Sequence, residues 1–297
     1  MTEIIDIAGV AFHLTFDHEP PRCHAAPVYD AFGDSRFLNS DSVRVDVRVT
    51  SGIPAIPEDA VLLFRANDTW SISSDEGGYW YSFAPPGLDA PVWVMRFDHD
   101  VSAATVFCNA SYCEAVGPDE YLGPFRYPLD QILLVYALAQ RRGLLVHAAG
   151  AQIGDKSYLF AGRSGAGKST LSRLLLPDSR FRMLSDDRII VRGTSSGPTA
   201  CGTPWPGDAG IALNDGAPLA GLFFIAHADE NRIDAITPQD ALHALFPVTT
   251  MLWYDEAKLS HMLAFCEELI NNVPAYILHV RPDDAVVNLL HDFACAT

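Results

Sequence analysis

Apolar and polar residues alternate through much of the first 127 positions. VRVDVRV at 43–49 interleaves Val43, Val45, Val47 and Val49 with Arg and Asp, which predicts a strand with one apolar face. WSISSDEGGYWYSF at 70–83 repeats the pattern on both sides of Gly77 and Gly78 and predicts a hairpin, and APVWVMRF at 90–97 predicts a further strand. Prolines at 54, 57, 85, 86 and 91 cut this half into short strands. From residue 128 the period changes. YPLDQILLVYALAQRRG puts Leu129, Ile132, Leu133, Tyr136 and Ala139 on one helical face, with Pro128 at an early helical position, Arg141 and Arg142 at the negative end, and Gly143 as the closing residue.

LLVHAAGAQI and SYLFAG then predict two strands around a Gly154–Asp155 turn, and STLSRLLL a helix. MLSDDRIIV predicts an apolar strand interrupted by two acids, and LAGLFFIAH at 219–227 a buried strand. Thr237 and Pro238 open a helix in ITPQDALHALF, as a cap and a first-turn proline do. DEAKLSHMLAFCEELI places Leu259, Met262, Leu263, Cys266 and Ile270 at helical spacing, and PAYILHV and RPDDAVVNLLHDF supply a last strand and helix. The pattern therefore predicts a β-rich N-terminal domain over 1–127, a scaffold or recognition module, and an α/β domain over 128–297.

Chemistry concentrates in the second half. GRSGAGKS at 162–169 fits G-x-x-x-x-G-K-[ST] with an apolar strand before it and a helix after it. In that pattern Gly162, Arg163, Ser164, Gly165, Ala166, Gly167, Lys168, Ser169 and Thr170 form a phosphate cradle. The backbone N–H groups from Ser164 to Ser169 wrap the β-phosphate of a nucleoside triphosphate such as ATP, and Lys168 reaches between the β- and γ-phosphates. Ser169 gives its hydroxyl to Mg²⁺, and Thr170 lies near the α-phosphate. The competing reading is a glycine-rich turn that carries a lysine and binds no nucleotide. SDDR at 185–188 follows within twenty residues of Lys168. Adjacent carboxylates on a strand point to opposite faces unless the chain bulges. One beside the phosphates can hold a metal through water while the other takes a proton from a hydroxyl; alternatively the two form a solvated turn. His147 ends an apolar run one hairpin before the cradle, and Arg188 follows the acids directly.

Composition narrows the partners. Asp and Glu outnumber Lys and Arg by 37 to 20, a net charge of −17, and RR at 141–142 is the only basic doublet. Such a chain repels nucleic acid and anionic membranes, so neither is an expected partner. The N-terminus lacks a basic segment followed by a sustained apolar one, and no run of about 18 apolar residues occurs, which predicts a cytoplasmic protein. Six cysteines without a C-x-x-C pair predict neither a disulfide framework nor a zinc knuckle. His13, His18, Cys23 and His24, and Asp98, His99 and Asp100, have irregular spacing and read as solvated loops rather than metal ligands.

VHAAG, GRSGAGKST and LSDDR, in this order and at these intervals, resemble the catalytic domain of HPr kinase/phosphorylase and the wider group of HPr-kinase-related proteins, over about residues 125–295. CGTPWPGD and APLAGLFFI are similar to segments of several kinases in that group. The resemblance implies an α/β P-loop kinase core, of the type shared by HPr kinase and ATP-dependent phosphoenolpyruvate carboxykinase, preceded by the β-rich domain. It implies transfer of the γ-phosphoryl group from ATP, with Mg²⁺, to a hydroxyl, foremost a serine of a protein or peptide. It casts Asp186 as the base toward the acceptor, Asp187 as the Mg²⁺ ligand with Ser169, and His147 as the histidine beside the acidic pair. Lys168 supplies positive charge; Arg188 reads either as a second charge on the transferring phosphoryl group or as a surface cation. Thr203 and Trp205, between Gly202 and Gly207, read either as a loop that closes over the acceptor or the base of the nucleotide or, for Trp205, as an aromatic packed under a proline-rich turn.

Two departures qualify the match. Thr170 stands where the bifunctional enzymes carry an acid, and their R-G-x-G-I signature has only GDAGI at 207–211 as a counterpart. Reverse phosphorolysis is therefore not expected, and the acceptor need not be HPr. A small-molecule hydroxyl kinase, or a nucleotide-binding regulatory or assembly module without transfer, shares the same motifs. Family kinases are often homo-oligomers, but nothing periodic in this sequence marks an interface.

Overall fold

The computed structural model describes residues 2–17, 27–33, 41–50, 52–67, 69–85, 87–88, 90–112 and 125–297. In the first half, alternation becomes one sheet. Strands β1 (Thr2–Ile7), β2 (Val10–Phe16), β3 (Asp41–Thr50), β4 (Val61–Ala66), β5 (Trp70–Asp75), β6 (Gly78–Phe83), β7 (Trp93–Phe97) and β8 (Ala103–Asn109) lie in the order β1-β2-β3-β8-β7-β6-β5-β4. Val43 and Val45 are fully buried on β3, whereas the side chains of Val47 and Val49 lie outside the described residues. The β5–β6 hairpin turns on Glu76 and Gly77, and Gly78 already pairs with Asp75.

Helix α1 (Leu129–Gln140) follows. The chain divides into two compact units at 140/141, so α1 falls with the first unit although periodicity groups it with the second half. Its partners explain why. The Tyr136 ring lies 4.7 Å from Tyr79 and 5.1 Å from Phe97, and Asp130 accepts the Tyr29 hydroxyl at 2.5 Å. The left-handed residue after the helix is Arg142, at φ 50°, not Gly143, which is free to begin the next strand.

The second unit contains β9 (Gly143–Ile153), β10 (Lys156–Ala161), α2 (Lys168–Leu175), β11 (Arg182–Ser185), β12 (Arg188–Thr194), β13 (Gly197–Cys201), β14 (Gly216–His227), β15 (Arg232–Ala235), α3 (Pro238–Leu245), α4 (Glu256–Asn272), β16 (Ala275–Val280) and α5 (Ala285–Ala296). β9 and β10 form the predicted hairpin, with Gly154 at φ 63° in its turn. The strand order is β10-β9-β12-β13-β14-β16-β15, with β11 on β9. Because β10 also pairs in parallel with β14, the ladder from β10 through β9, β12 and β13 closes on itself. One core joins sheet to helices: Phe160 and Phe223 pack with Leu171 and Leu175 of α2 and with Val286, Val287 and Leu290 of α5. The protein is thus mixed α/β, with two large sheets.

The cap on α3 follows the sequence, since Thr237 accepts the Asp240 N–H at 3.2 Å. The stripe on α4 follows it in part. Met262, Phe265, Cys266, Leu269 and Ile270 are buried, while Leu263 is 36% exposed and Leu259 only half-buried. Phe265 draws the face round: its ring lies 5.9 Å from the Arg142 guanidinium and against Gly193, where an added Cβ would come within 3.0 Å.

Candidate functional site

β10 delivers the chain to the glycine loop, and α2 leaves it. Gly165 (φ 81°) and Gly167 (φ 99°) occupy the left-handed region that side chains avoid, so the loop can fold back tightly on the start of α2. The first helical bond runs from Leu171 N–H to the Gly167 carbonyl at 2.9 Å. The N–H groups of Lys168, Ser169 and Thr170 precede it, and a helix offers such groups no carbonyl one turn back. They point outward from the positive end of the helix. Lys168 is buried, and its ammonium donates to the carbonyls of Gly162 at 2.9 Å and Arg163 at 3.3 Å. Burial pulls its pKa below the ordinary lysine value, with Asp187 opposing and Arg188 adding to the effect.

The acid pair lies at the break between β11 and β12. Antiparallel register sets Arg188 opposite His147, which brings Asp187 beside the imidazole. His147 Nε2 lies 2.8 Å from Asp187 Oδ1, and Arg188 Nε lies 3.4 Å from Oδ2. The hydrogen bond with His147 is the largest influence holding the Asp187 carboxyl below its ordinary pKa; burial opposes it, and the charges of Arg188, His147 and Lys168 reinforce it.

Asp186 faces the other way. It is 1% exposed, and its Oδ1 accepts the N–H groups of Gly207 at 2.8 Å and Ile211 at 3.1 Å while Oδ2 accepts that of Ala209 at 2.7 Å. The bend between β11 and β12 has separated the two acids.

A cavity of about 490 Å³ gathers His147, Ser164, Gly165, Gly167, Lys168, Ser169, Thr170, Arg173, Asp187, Gly207 and Asp208 in its wall. Eight of the residues singled out in the sequence therefore meet. Gly162, Arg163 and Ala166 shape the loop without lining the cavity, and Arg188 touches the site through Asp187. Asp186, expected to face the acceptor, is not brought to the cavity wall. Thr203 and Trp205 do not line the cavity either: Thr203 is fully buried and donates its hydroxyl to the Arg188 carbonyl at 2.9 Å, and Trp205 is buried, in keeping with the reading of a packed aromatic.

Three contributors went unread in the sequence. Arg173 stands one turn along α2 from Ser169 and Thr170, a spacing that could have revealed it. Asp208 sits in the GDAGI segment, where no local pattern tells an inward carboxylate from a solvated one. His227 ends β14 and pairs a ring nitrogen with the Gly165 carbonyl at 3.1 Å, a contact set by the β10–β14 pairing.

No protein-family model and no curated protein matches the chain.

The site's chemistry rests on its geometry. The wall presents the start of α2 and Lys168, which suit an oligoanion, together with Asp187 and Asp208. Among the described residues no group of three or more His, Cys, Asp or Glu side chains gathers round a common point, as an all-protein metal cage needs. Mg²⁺ needs no cage, since one or two carboxylates, a hydroxyl and substrate phosphates suffice. Ser169 and Asp187 fit that donor set. His18, Cys23 and His24 lie outside the described residues. Asp98 is occupied by Ser102 and Ala103, whose N–H groups it accepts at 2.9 and 2.8 Å. Cys108, Cys201 and Cys266 are buried.

No helix among the described residues is long and apolar enough to cross a membrane.

Proposed function

We propose that the protein is an ATP- and Mg²⁺-dependent phosphotransferase that moves the γ-phosphoryl group to a hydroxyl, foremost a serine of a protein or peptide. The observation that carries this reading is one cavity wall that joins the donor-rich start of α2 and Lys168 to an Asp187 hydrogen-bonded by His147. Phosphoryl transfer asks little covalent work of a protein; it needs alignment and stabilisation of spread negative charge. The N–H groups of Lys168, Ser169 and Thr170 orient the phosphates, and Lys168 exchanges its loop carbonyls for phosphate oxygens. Ser169 and Asp187 would hold Mg²⁺, which when bound neutralises charge between the β- and γ-phosphates. His147 fixes the rotamer of Asp187, as a partner behind a ligand does, and Arg188 adds positive charge beside it.

The test is incubation with γ-labelled ATP, Mg²⁺ and soluble protein of the source cell. A labelled product made by the wild type, and lost in Lys168→Ala and Asp187→Asn, supports transfer. Titration with ATP should show at least about a tenfold loss of affinity in Lys168→Ala, the scale of one charge-assisted contact. Undiminished affinity in that variant would defeat the cradle. Tight ATP binding with no labelled product from protein, free serine or a hydroxy acid would leave a nucleotide-binding module.

A further inference from the structure

With Asp186 sealed away, transfer to a hydroxyl lacks its proton acceptor. Asp187 is assigned to Mg²⁺ in the phosphotransferase reading, with His147 Nε2 at 2.8 Å from Oδ1 and Arg188 Nε at 3.4 Å from Oδ2 to position it. Asp186 spends its carboxylate on three amides of one short loop. That loop is drawn tightly onto the acid pair: a Cβ added at Gly207 would lie 2.8 Å from Asp186 Oδ2 and 2.9 Å from Asp187 Cβ. Asp208, carried between two of the latched amides, is exposed and lines the cavity with Lys168 and Asp187. Among the described residues its carboxylate has no hydrogen-bond or ion-pair partner, so both oxygens can accept a hydroxyl.

We propose that Asp208 is the catalytic base of the transfer, and that Asp186 is the positioning residue that latches the Gly207–Ile211 loop and so sets Asp208 in the wall. The assignment rests on the phosphotransferase reading. In the step, the acceptor oxygen bonds to the γ-phosphorus while the bond from phosphorus to the β–γ bridging oxygen breaks. The bridging oxygen leaves with the electron pair on the nucleoside diphosphate. The hydroxyl proton passes to a carboxylate oxygen of Asp208, whose exposed side returns it to solvent.

Three measurements on the full chain decide it: transfer from γ-labelled ATP to soluble protein of the source cell across pH, affinity for ADP, and amide hydrogen exchange. Asp208→Asn should slow transfer by about 10²- to 10⁴-fold, the usual weight of a general base, and erase the acid limb of the pH profile while ADP affinity holds. Asp186→Asn should slow transfer but keep that limb. It should also raise exchange at Gly207, Ala209 and Ile211 by about tenfold or more, the scale of a lost hydrogen bond, while Asp208→Asn leaves those amides protected. The double variant should be no slower than Asp208→Asn alone, because one residue acts through the other. If Asp186→Asn does not fold, Gly207→Ala should give the same exchange signature by lifting the loop off the acids.

An acid limb erased in Asp186→Asn and retained in Asp208→Asn would return the base to Asp186. Unchanged exchange at the three amides in both loop variants would refute the latch. A wild type that binds ATP yet labels nothing would defeat the transfer reading and the base assignment together, and the exchange data would then judge the latch alone.

Discussion

Among single residues, Asp187 carries the clearest pH signature. Its folded pKa is depressed, chiefly by the hydrogen bond from His147. A depressed carboxyl contributes stability that is fully present above its unfolded value, about 3.9, and is lost as pH falls through the lower folded value. Asp187→Asn should therefore lie below the wild type in urea midpoint near neutrality, and the gap should narrow as pH drops below about 4. A gap that stayed constant from neutral to acid pH would mean that the His147 contact does not discriminate the ionised form. The same residue shows how far sequence could see. The acid pair was legible, but the strand predicted through it breaks at the pair, so a bend rather than strand alternation sends the two acids apart. Which acid turned inward depended on the register of β12 against β9 and on the return of a loop twenty residues later, neither of which is local.

Between elements, the glycines that shape the site do two different jobs, and substitution separates them. Gly165 has open space around it, and an alanine there meets only the strain of φ 81°, about 1–2 kcal/mol. Gly202 has no such room: a Cβ would lie 2.0 Å from the Leu213 carbonyl oxygen and 2.6 Å from that of Leu184. Those are backbone atoms of the β11 end and of the segment hydrogen-bonded to it, with Leu213 N–H donating to the Leu184 carbonyl at 2.9 Å. Gly202→Ala should cost at least about 3 kcal/mol, the upper end for forced overpacking, and thermal melts should rank it well below Gly165→Ala. Equal melting temperatures would show that the β11 region yields without cost. The glycine loop was readable because a tight strand-to-helix turn of this kind leaves a dense local mark in three glycines and a lysine. Gly202 left none, since its neighbours come from distant strands. The α4 stripe held at Met262, Cys266 and Ile270 and missed at its two leucines for a related reason: helical spacing marks a face, but the ring of Phe265 on Arg142 and Gly193 decides how far round that face is buried.

Across the whole molecule, a chain of net charge −17 is proposed to take up a polyanion, and the long-range and local fields oppose each other. Far from the cavity the net charge repels ATP; inside it, the start of α2 with Lys168 and Arg173 attracts, against Asp187 and Asp208. Salt separates these ranges. Raising ionic strength from about 0.01 M to 0.15 M shortens the Debye length from about 30 Å to 8 Å. That removes repulsion exerted over tens of ångströms and leaves contacts at hydrogen-bond distance nearly intact. The association rate of a fluorescent ATP analogue, followed by stopped flow, should therefore rise across that interval, while a neutral adenosine analogue stays flat. An association rate that fell steadily with salt would mean that the cations at the cavity mouth outweigh the rest of the surface and steer the nucleotide inward. The composition that argues against nucleic acid and anionic membranes would then have no purchase on the approach of a small anion to this cavity.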